Sequence, residues 1–269
     1  MMSGIAAGTV IALDTSTAAM AGAVIENGAV KGETQAVAER NHSVHVISHM
    51  KSMLDQAGVG REELDGIVVG QGPGSYTGVR IAVTAAKTLG WAWDKPVVGI
   101  SSLEALGYGA LHQCKAQFGA DAGEYWIMPV MDARRGQVYT GGFRWNEQDG
   151  GNWTRWADDG ILLMKEWVDA LLGKLDRRLS EEEGRPVLVV AGDLTQHEEE
   201  AERLNVKAAE SGVRTHLLPY TMEGQYLARL GLKALNEGAG QSAHDIVPNY
   251  TQLTEAEVKL KAKQAGEQS

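Results

Sequence analysis

Short apolar runs separated by polar turns mark the first part of the chain. Residues 10–13 and 66–69 are continuous apolar runs of the kind that form buried strands. In residues 43–58 the apolar positions recur at helical spacing and end on a glycine, which predicts an amphipathic helix. Further strands are predicted at 20–25, 30–36 and 97–100, and a second helix at 79–93. This order, β-β-β-α-β-α-β, predicts an α/β fold in which a hairpin meander and crossover units share one mixed sheet.

The second half of the chain has a less regular pattern. Strands are predicted at 125–132, 138–143 and 187–191, and helices at 165–175, 198–211 and 224–237. Residues 145–160 are polar and rich in tryptophan, and we interpret them as an insertion. Ser102 is expected to cap the helix that follows the strand at 97–100. The predicted division is a first domain at 8–104, a second at 105–255 and a polar tail at 256–269.

Composition narrows the classes of partner. The chain has 269 residues and a net charge of −10, from 25 Lys and Arg against 35 Asp and Glu. Affinity for nucleic acid comes from basic residues that neutralise phosphates, so this chain is a poor candidate for binding RNA by itself. The single cysteine, Cys114, excludes an intramolecular disulfide and a zinc site made of cysteines. The N-terminus lacks a signal peptide's basic residues and no apolar run reaches the ~18 residues of a membrane span, so we expect a cytoplasmic protein without membrane contact.

Two turns carry groups able to bind phosphate. The turn at 14–17 offers hydroxyls, backbone N–H groups and a carboxylate that can hold magnesium through water, although an ordinary Asx or Ser/Thr turn has the same composition. The glycine-rich turn at 70–80 matches neither a Walker A loop nor the dinucleotide fingerprint, and it can hold an anion or be purely structural. The candidate phosphate or nucleotide contacts, expected to be weak and vestigial, are Asp14, Thr15, Ser16, Gly72, Gly74 and Ser75.

Three histidines, His42, His45 and His49, lie along one stripe of the first predicted helix. The H-x-x-x-H spacing of the last two can chelate a metal ion from one helix face. A zincin metallopeptidase needs a glutamate directly after the first histidine, and Val46 stands there. No third ligand is identifiable, so surface or interface histidines are the favoured interpretation and we expect no bound metal.

The second predicted helix is apolar around nearly its whole circumference. Such a helix is buried on every side, and one sheet covers only one of its faces. A partner protein would cover the other face, and the alternative is burial by the second half of the same chain. The residues assigned to a partner interface on the two helices are His42, His45, His49, Arg80, Val83, Ala86, Lys87 and Gly90.

Four motifs occur in a fixed order: D-T-S-T at 14–17, R-N-H-S at 40–43, G-P-G-S-Y-T-G-V-R-I at 72–81 and D-A-R-R-G-Q-V-Y at 132–139. Together they resemble the TsaB (YeaZ) family, the dimerisation subunit of the bacterial machinery for tRNA N6-threonylcarbamoyladenosine (t6A), over about residues 8–255. The resemblance implies an actin/Hsp70-like (ASKHA) fold of two ribonuclease-H-like lobes with mixed sheets. The chain departs from the family's C-terminal P-x-Y-L-R, which here reads P-N-Y-T-Q.

The resemblance also implies a non-catalytic role. The catalytic paralogue, TsaD, carries a metal-binding H-x-x-x-H after the last strand of its first lobe, and residues 100–106 of this chain hold no histidine. The family implies that the chain is inactive alone, pairs with TsaD, supports docking of the ATPase TsaE and reaches tRNA only through the complex. ATP or ADP with magnesium is expected only in the assembled complex, and a homodimer is expected to use the same surface. Competing interpretations are a metallopeptidase built on His45 and His49 and a stand-alone ASKHA kinase built on Asp14.

Overall fold

The computed structural model describes residues 7–37, 42–119, 122–148, 150–181 and 184–251. The first half folds into β1 (Thr9–Asp14), β2 (Ala19–Glu26), β3 (Ala29–Val37), α1 (His42–Ala57), β4 (Gly66–Gly70), α2 (Tyr76–Trp93) and β5 (Val97–Ile100). Its five strands form one sheet in the order β3-β2-β1-β4-β5. The central strand β1 is antiparallel to β2 and parallel to β4, so the predicted mixed sheet is confirmed.

The second half repeats this arrangement. Its elements are α3 (Ser102–Phe118), β6 (Glu124–Asp132), β7 (Gln137–Asn146), β8 (Asn152–Leu163), α4 (Met164–Ser180), β9 (Val187–Gly192), α5 (Glu198–Glu210), β10 (Thr215–Pro219) and α6 (Gly224–Asn236). The second sheet has the order β10-β9-β6-β7-β8, which is the order of the first sheet with each strand replaced by its counterpart. The antiparallel and parallel pairings also correspond. Two lobes of this topology confirm the ASKHA fold.

Helices cover both faces of each sheet. The outer face of the first sheet packs against α1 and α2, and that of the second against α4 and α5. Between the sheets, α3 packs on the second sheet and α6 on the first, and the two helices contact each other. The predicted domain boundary at 104/105 remains a prediction. Helix α6 belongs to the predicted second domain, yet it packs on the sheet of the first. In the part of the chain described above, no helix is both long enough and apolar enough to span a bilayer.

Three details of the sequence interpretation are wrong. Residues 145–160 are not an insertion, because they contain the end of β7 and most of β8. Most of β8 is only half-buried, so its pattern does not alternate clearly, yet Trp153 stacks on Phe143 of β7 with ring centroids 5.1 Å apart. The short strand β10 was not predicted. Ser101, rather than Ser102, caps α3, since its hydroxyl accepts a hydrogen bond from the Glu104 N–H at 3.1 Å. The polar tail lies outside the described residues.

Candidate functional site

The carboxylate of Asp14 lies at the carboxyl end of the central strand β1 and is fully buried. Its Oδ1 accepts a hydrogen bond from the Ser16 N–H at 2.6 Å, and its Oδ2 accepts one from the Ser102 hydroxyl at 2.5 Å. The same Ser102 oxygen accepts a hydrogen bond from the Gly72 N–H at 3.0 Å. Burial raises the pKa of Asp14, and the hydrogen bonds from Ser102 and Ser16 oppose that shift. Asp14 therefore joins β1, the glycine-rich loop and the start of α3.

The glycine-rich loop packs closely against the turn that follows Asp14. The Thr15 hydroxyl donates to the Gly78 carbonyl at 2.6 Å, and the Ser75 N–H donates to the Ser16 carbonyl at 2.7 Å. A Cβ at Gly78 would lie 1.9 Å from the Thr15 carbonyl oxygen, and one at Gly74, whose φ is +153°, would lie 2.5 Å from that of Ser16. Only glycine fits at these two positions. Ser75 caps α2 through a hydrogen bond from the Gly78 N–H.

The structure thus brings together the residues predicted to contact phosphate, and hydrogen bonds join them to one another. The Asp14 carboxylate has no exposed surface in which to meet a ligand or a hydrated magnesium ion. The Ser16 hydroxyl oxygen is buried and has no hydrogen-bond partner among the described residues. Ser75 is exposed and Gly74 is half-buried, so the rim of the loop reaches solvent. A nucleotide contact here remains a prediction. Ser102 was missed as a site residue, because the sequence interpretation gave it only the role of a helix cap after the strand at 97–100.

The predicted interface residues fall into two groups. In the first group His45 and Arg80 are exposed and His49 and Lys87 are half-buried, while the side chain of His42 lies outside the described residues. The second group comprises Val83, Ala86 and Gly90. These residues are buried in the chain's own core, which corrects their assignment to a partner surface.

Ile47 and Trp91, two of the exposed apolar residues on the same helices, were not assigned to the interface from the sequence. Ile47 of α1 has 52% of its surface exposed, and Trp91 of α2 has 71% exposed. An exposed apolar patch marks a protein interface, and these two residues lie on helices that contact each other. We use the name α1/α2 surface for six residues of these two helices: the exposed His45, Ile47, Arg80 and Trp91 and the half-buried His49 and Lys87.

A C-terminal strap, residues 241–250, covers part of α2. The Arg80 Nε donates to the Tyr250 hydroxyl at 2.8 Å. The half-buried Lys87 ammonium donates to the carbonyls of His244 and Ile246 at 3.1 and 3.0 Å. Part of the outer face of α2 is therefore buried by this chain, as the alternative interpretation held, and the end of α2 that carries Trp91 is left exposed.

The histidine pair does not form a recognisable metal centre. The rings of His45 and His49 are 6.3 Å apart between centroids and meet edge to face. Among the described residues, no group of three or more His, Cys, Asp or Glu side chains could hold a metal ion. The expectation that no metal binds remains a prediction.

Comparison with known proteins identifies the family. The family model of TsaD, tRNA N6-adenosine threonylcarbamoyltransferase, matches residues 31–260. A Bacillus subtilis (strain 168) protein named tRNA threonylcarbamoyladenosine biosynthesis protein TsaB is 32% identical over 93% of this chain and 97% of its own length. The Escherichia coli (strain K12) protein of the same name is 28% identical over 61% of this chain and 68% of its own. A Pseudomonas aeruginosa crystal structure described as similar to peptidase YEAZ shares the fold, with a TM-score of 0.65 and 23% identity over 91% of this chain and 100% of that one. The chain belongs to the TsaB/YeaZ family.

Proposed function

We propose that the chain is a non-catalytic scaffold subunit that pairs with a TsaD-like catalytic paralogue. The complex would transfer threonylcarbamoyl to adenosine 37 of tRNA in the cytoplasm, and a TsaE-like ATPase would dock on the pair. In this proposal tRNA is bound through the complex, and ATP or ADP with magnesium binds only after assembly. The relatives named for t6A biosynthesis and the match to the TsaD family model support the pathway.

The observation that carries the pairing is the exposed apolar part of the α1/α2 surface. An aromatic side chain buries about 150–250 Å² at an interface, and apolar burial contributes about 25 cal/mol per Å². With 71% of Trp91 exposed, covering it would contribute about 3 kcal/mol to binding. His45 and Arg80, on the same two helices, are exposed polar residues of the kind that form the rim of an interface. A homodimer through this surface would use the same residues.

The two enzymatic alternatives receive less support. A metallopeptidase would need a third ligand near His45 and His49, and the described residues supply none. A kinase would need the Asp14 carboxylate to face its nucleotide, and that carboxylate is buried against Ser16 and Ser102.

Calorimetric titration with the purified TsaD-like paralogue tests the pairing. Trp91→Ala should weaken the affinity about 100-fold, the equivalent of about 3 kcal/mol, and Ile47→Glu should weaken it further than any single rim substitution. Val206→Glu is the matched control, because Val206 is an apolar helix residue of the second lobe with 49% exposure. Equal affinities of wild type, Trp91→Ala and Ile47→Glu would exclude the α1/α2 surface. Threonylcarbamoyl transfer by the isolated chain would exclude the non-catalytic role.

A further inference from the structure

The turn between β6 and β7 has a backbone that its residues do not favour. Arg134, Arg135 and Gly136 have φ angles of +66°, +54° and +75°. The other described non-glycine residues with positive φ are Asn27 and Asp94, whose residue types tolerate the left-handed region. Arginine has no such tolerance, and glycine or asparagine would form this turn with less strain. Strain of this kind persists where surrounding contacts hold it in place, and it is concentrated at functional sites.

Contacts on several sides fix this turn. The Ala133 N–H donates to the Gln137 carbonyl at 2.9 Å, and the Met164 N–H donates to the Gly136 carbonyl at 3.0 Å. The Arg134 N–H donates to Oδ1 of Asp132 at 3.1 Å. That oxygen also lies 3.0 Å from Nε2 of His197, which is buried at the start of α5. The two arginines therefore project from a rigid support.

The surface around the turn is both cationic and apolar. Arg134 and Arg135 are exposed, and within the described parts of the chain neither has an ion pair, although acidic residues outnumber basic ones. Leu162 and Leu163, at the end of β8, have 38% and 42% of their surface exposed. The β7–β8 register places Leu163 opposite Gln137, directly after the turn. We call Arg134, Arg135, Leu162 and Leu163 the RR turn surface.

The neighbouring charges decide which class of anion fits. Glu198 and Glu199 are exposed and follow His197 directly at the start of α5. A continuous RNA backbone crossing this region would be repelled by them, and bare phosphates gain nothing from the exposed leucines. A protein surface with separate carboxylates and apolar side chains satisfies both features, because each guanidinium can bind a carboxylate through two hydrogen bonds.

We propose that the RR turn surface is a second protein-docking site, which binds an acidic and partly apolar surface of another subunit of the assembly. It lies on the second lobe, whereas the α1/α2 surface lies on the first, so the two sites can be occupied together. The inference rests on the proposed function only in that its partner belongs to the same complex.

The test is the double variant Arg134→Asn/Arg135→Asn, since asparagine tolerates the left-handed backbone. Its thermal unfolding midpoint should be at least as high as that of the wild type, because strain is removed. Its affinity for the TsaD-like or the TsaE-like protein, each purified and titrated separately, should fall about 10-fold or more, and the loss should shrink in high salt. The control is Arg177→Asn/Arg185→Asn, which removes two exposed arginines elsewhere on the same lobe.

The outcomes separate this inference from the proposed pairing. Loss of affinity for either protein in the turn variant, with no loss in the control, supports the inference whatever Trp91→Ala does. Unchanged affinity for both proteins overturns it, even if Trp91→Ala abolishes pairing. Weaker binding of an unmodified tRNA transcript alone, with both protein affinities intact, also overturns it and assigns the turn to RNA. A lower unfolding midpoint would show that the arginines serve the fold and would overturn it as well.

Discussion

Replacing Gly70 by alanine should destabilise the protein strongly, although the change adds a single methyl group. Gly70 ends β4 and is buried next to the carboxylate of Asp14. A Cβ there would lie 1.6 Å from Oδ2 and 2.5 Å from Cγ of Asp14. The carboxylate has no free direction in which to move, because Ser16 and Ser102 hold its two oxygens. Overpacking a rigid core costs about 1–3 kcal/mol, and this contact lies at the upper end or beyond.

Thermal and urea unfolding measure the effect. A loss of about 3 kcal/mol should lower the unfolding midpoint by about 6–12 °C in a chain of this size. Gly173→Ala is the control: Gly173 lies inside α4 with nothing within 4 Å of an added Cβ, so alanine should stabilise the helix by about 0.5–1 kcal/mol. In an Asp14→Ala background the two nearest atoms are gone, and Gly70→Ala should cost at least about 1 kcal/mol less. Equal costs in both backgrounds, or a cost below about 1 kcal/mol, would refute the proposed contact.

Two further predictions concern neighbouring parts of the first lobe. Burial raises the pKa of Asp14 above its ordinary value of 3.8, so its contribution to stability is fully present below pH 3.8 and is lost as the pH rises through the folded pKa. Asp14→Asn should therefore gain stability relative to wild type as the pH is raised from below 3.8 in urea unfolding, and a difference that stays the same at every pH would contradict this. Ala86→Glu places a charge in the core cluster under α2 and should leave little folded protein by circular dichroism, whereas a cooperatively folded variant would contradict the burial of Ala86.

The long helices and buried strands of the first lobe were predictable because one periodicity or one apolar run dominates each of them. β8 was not, since an edge strand with half-buried residues alternates too weakly to be told from a polar insertion. The apolar circumference of α2 was predictable, but periodicity alone cannot say which of its residues face the sheet. The fold turns Ala86 inward and leaves Trp91 outward, and the strap takes part of the remaining face. The bond between Asp14 and Ser102 joins residues 88 positions apart and follows from the strand order, which no local pattern contains.

The two lobes share one topology but use the end of their central strand differently. In the first sheet that strand ends at Asp14, whose oxygens accept hydrogen bonds from the Ser102 hydroxyl and the Ser16 N–H inside the protein. In the second it ends at Asp132, which stays partly exposed and, with His197, supports an outward-facing turn. A nucleotide could reach the Asp14 carboxylate only if its bond with Ser102 opened, and that bond ties the first sheet to the helix leading into the second. A nucleotide contact with that carboxylate would therefore change how the two lobes are joined, whereas a contact with the exposed Ser75 at the rim of the loop would not.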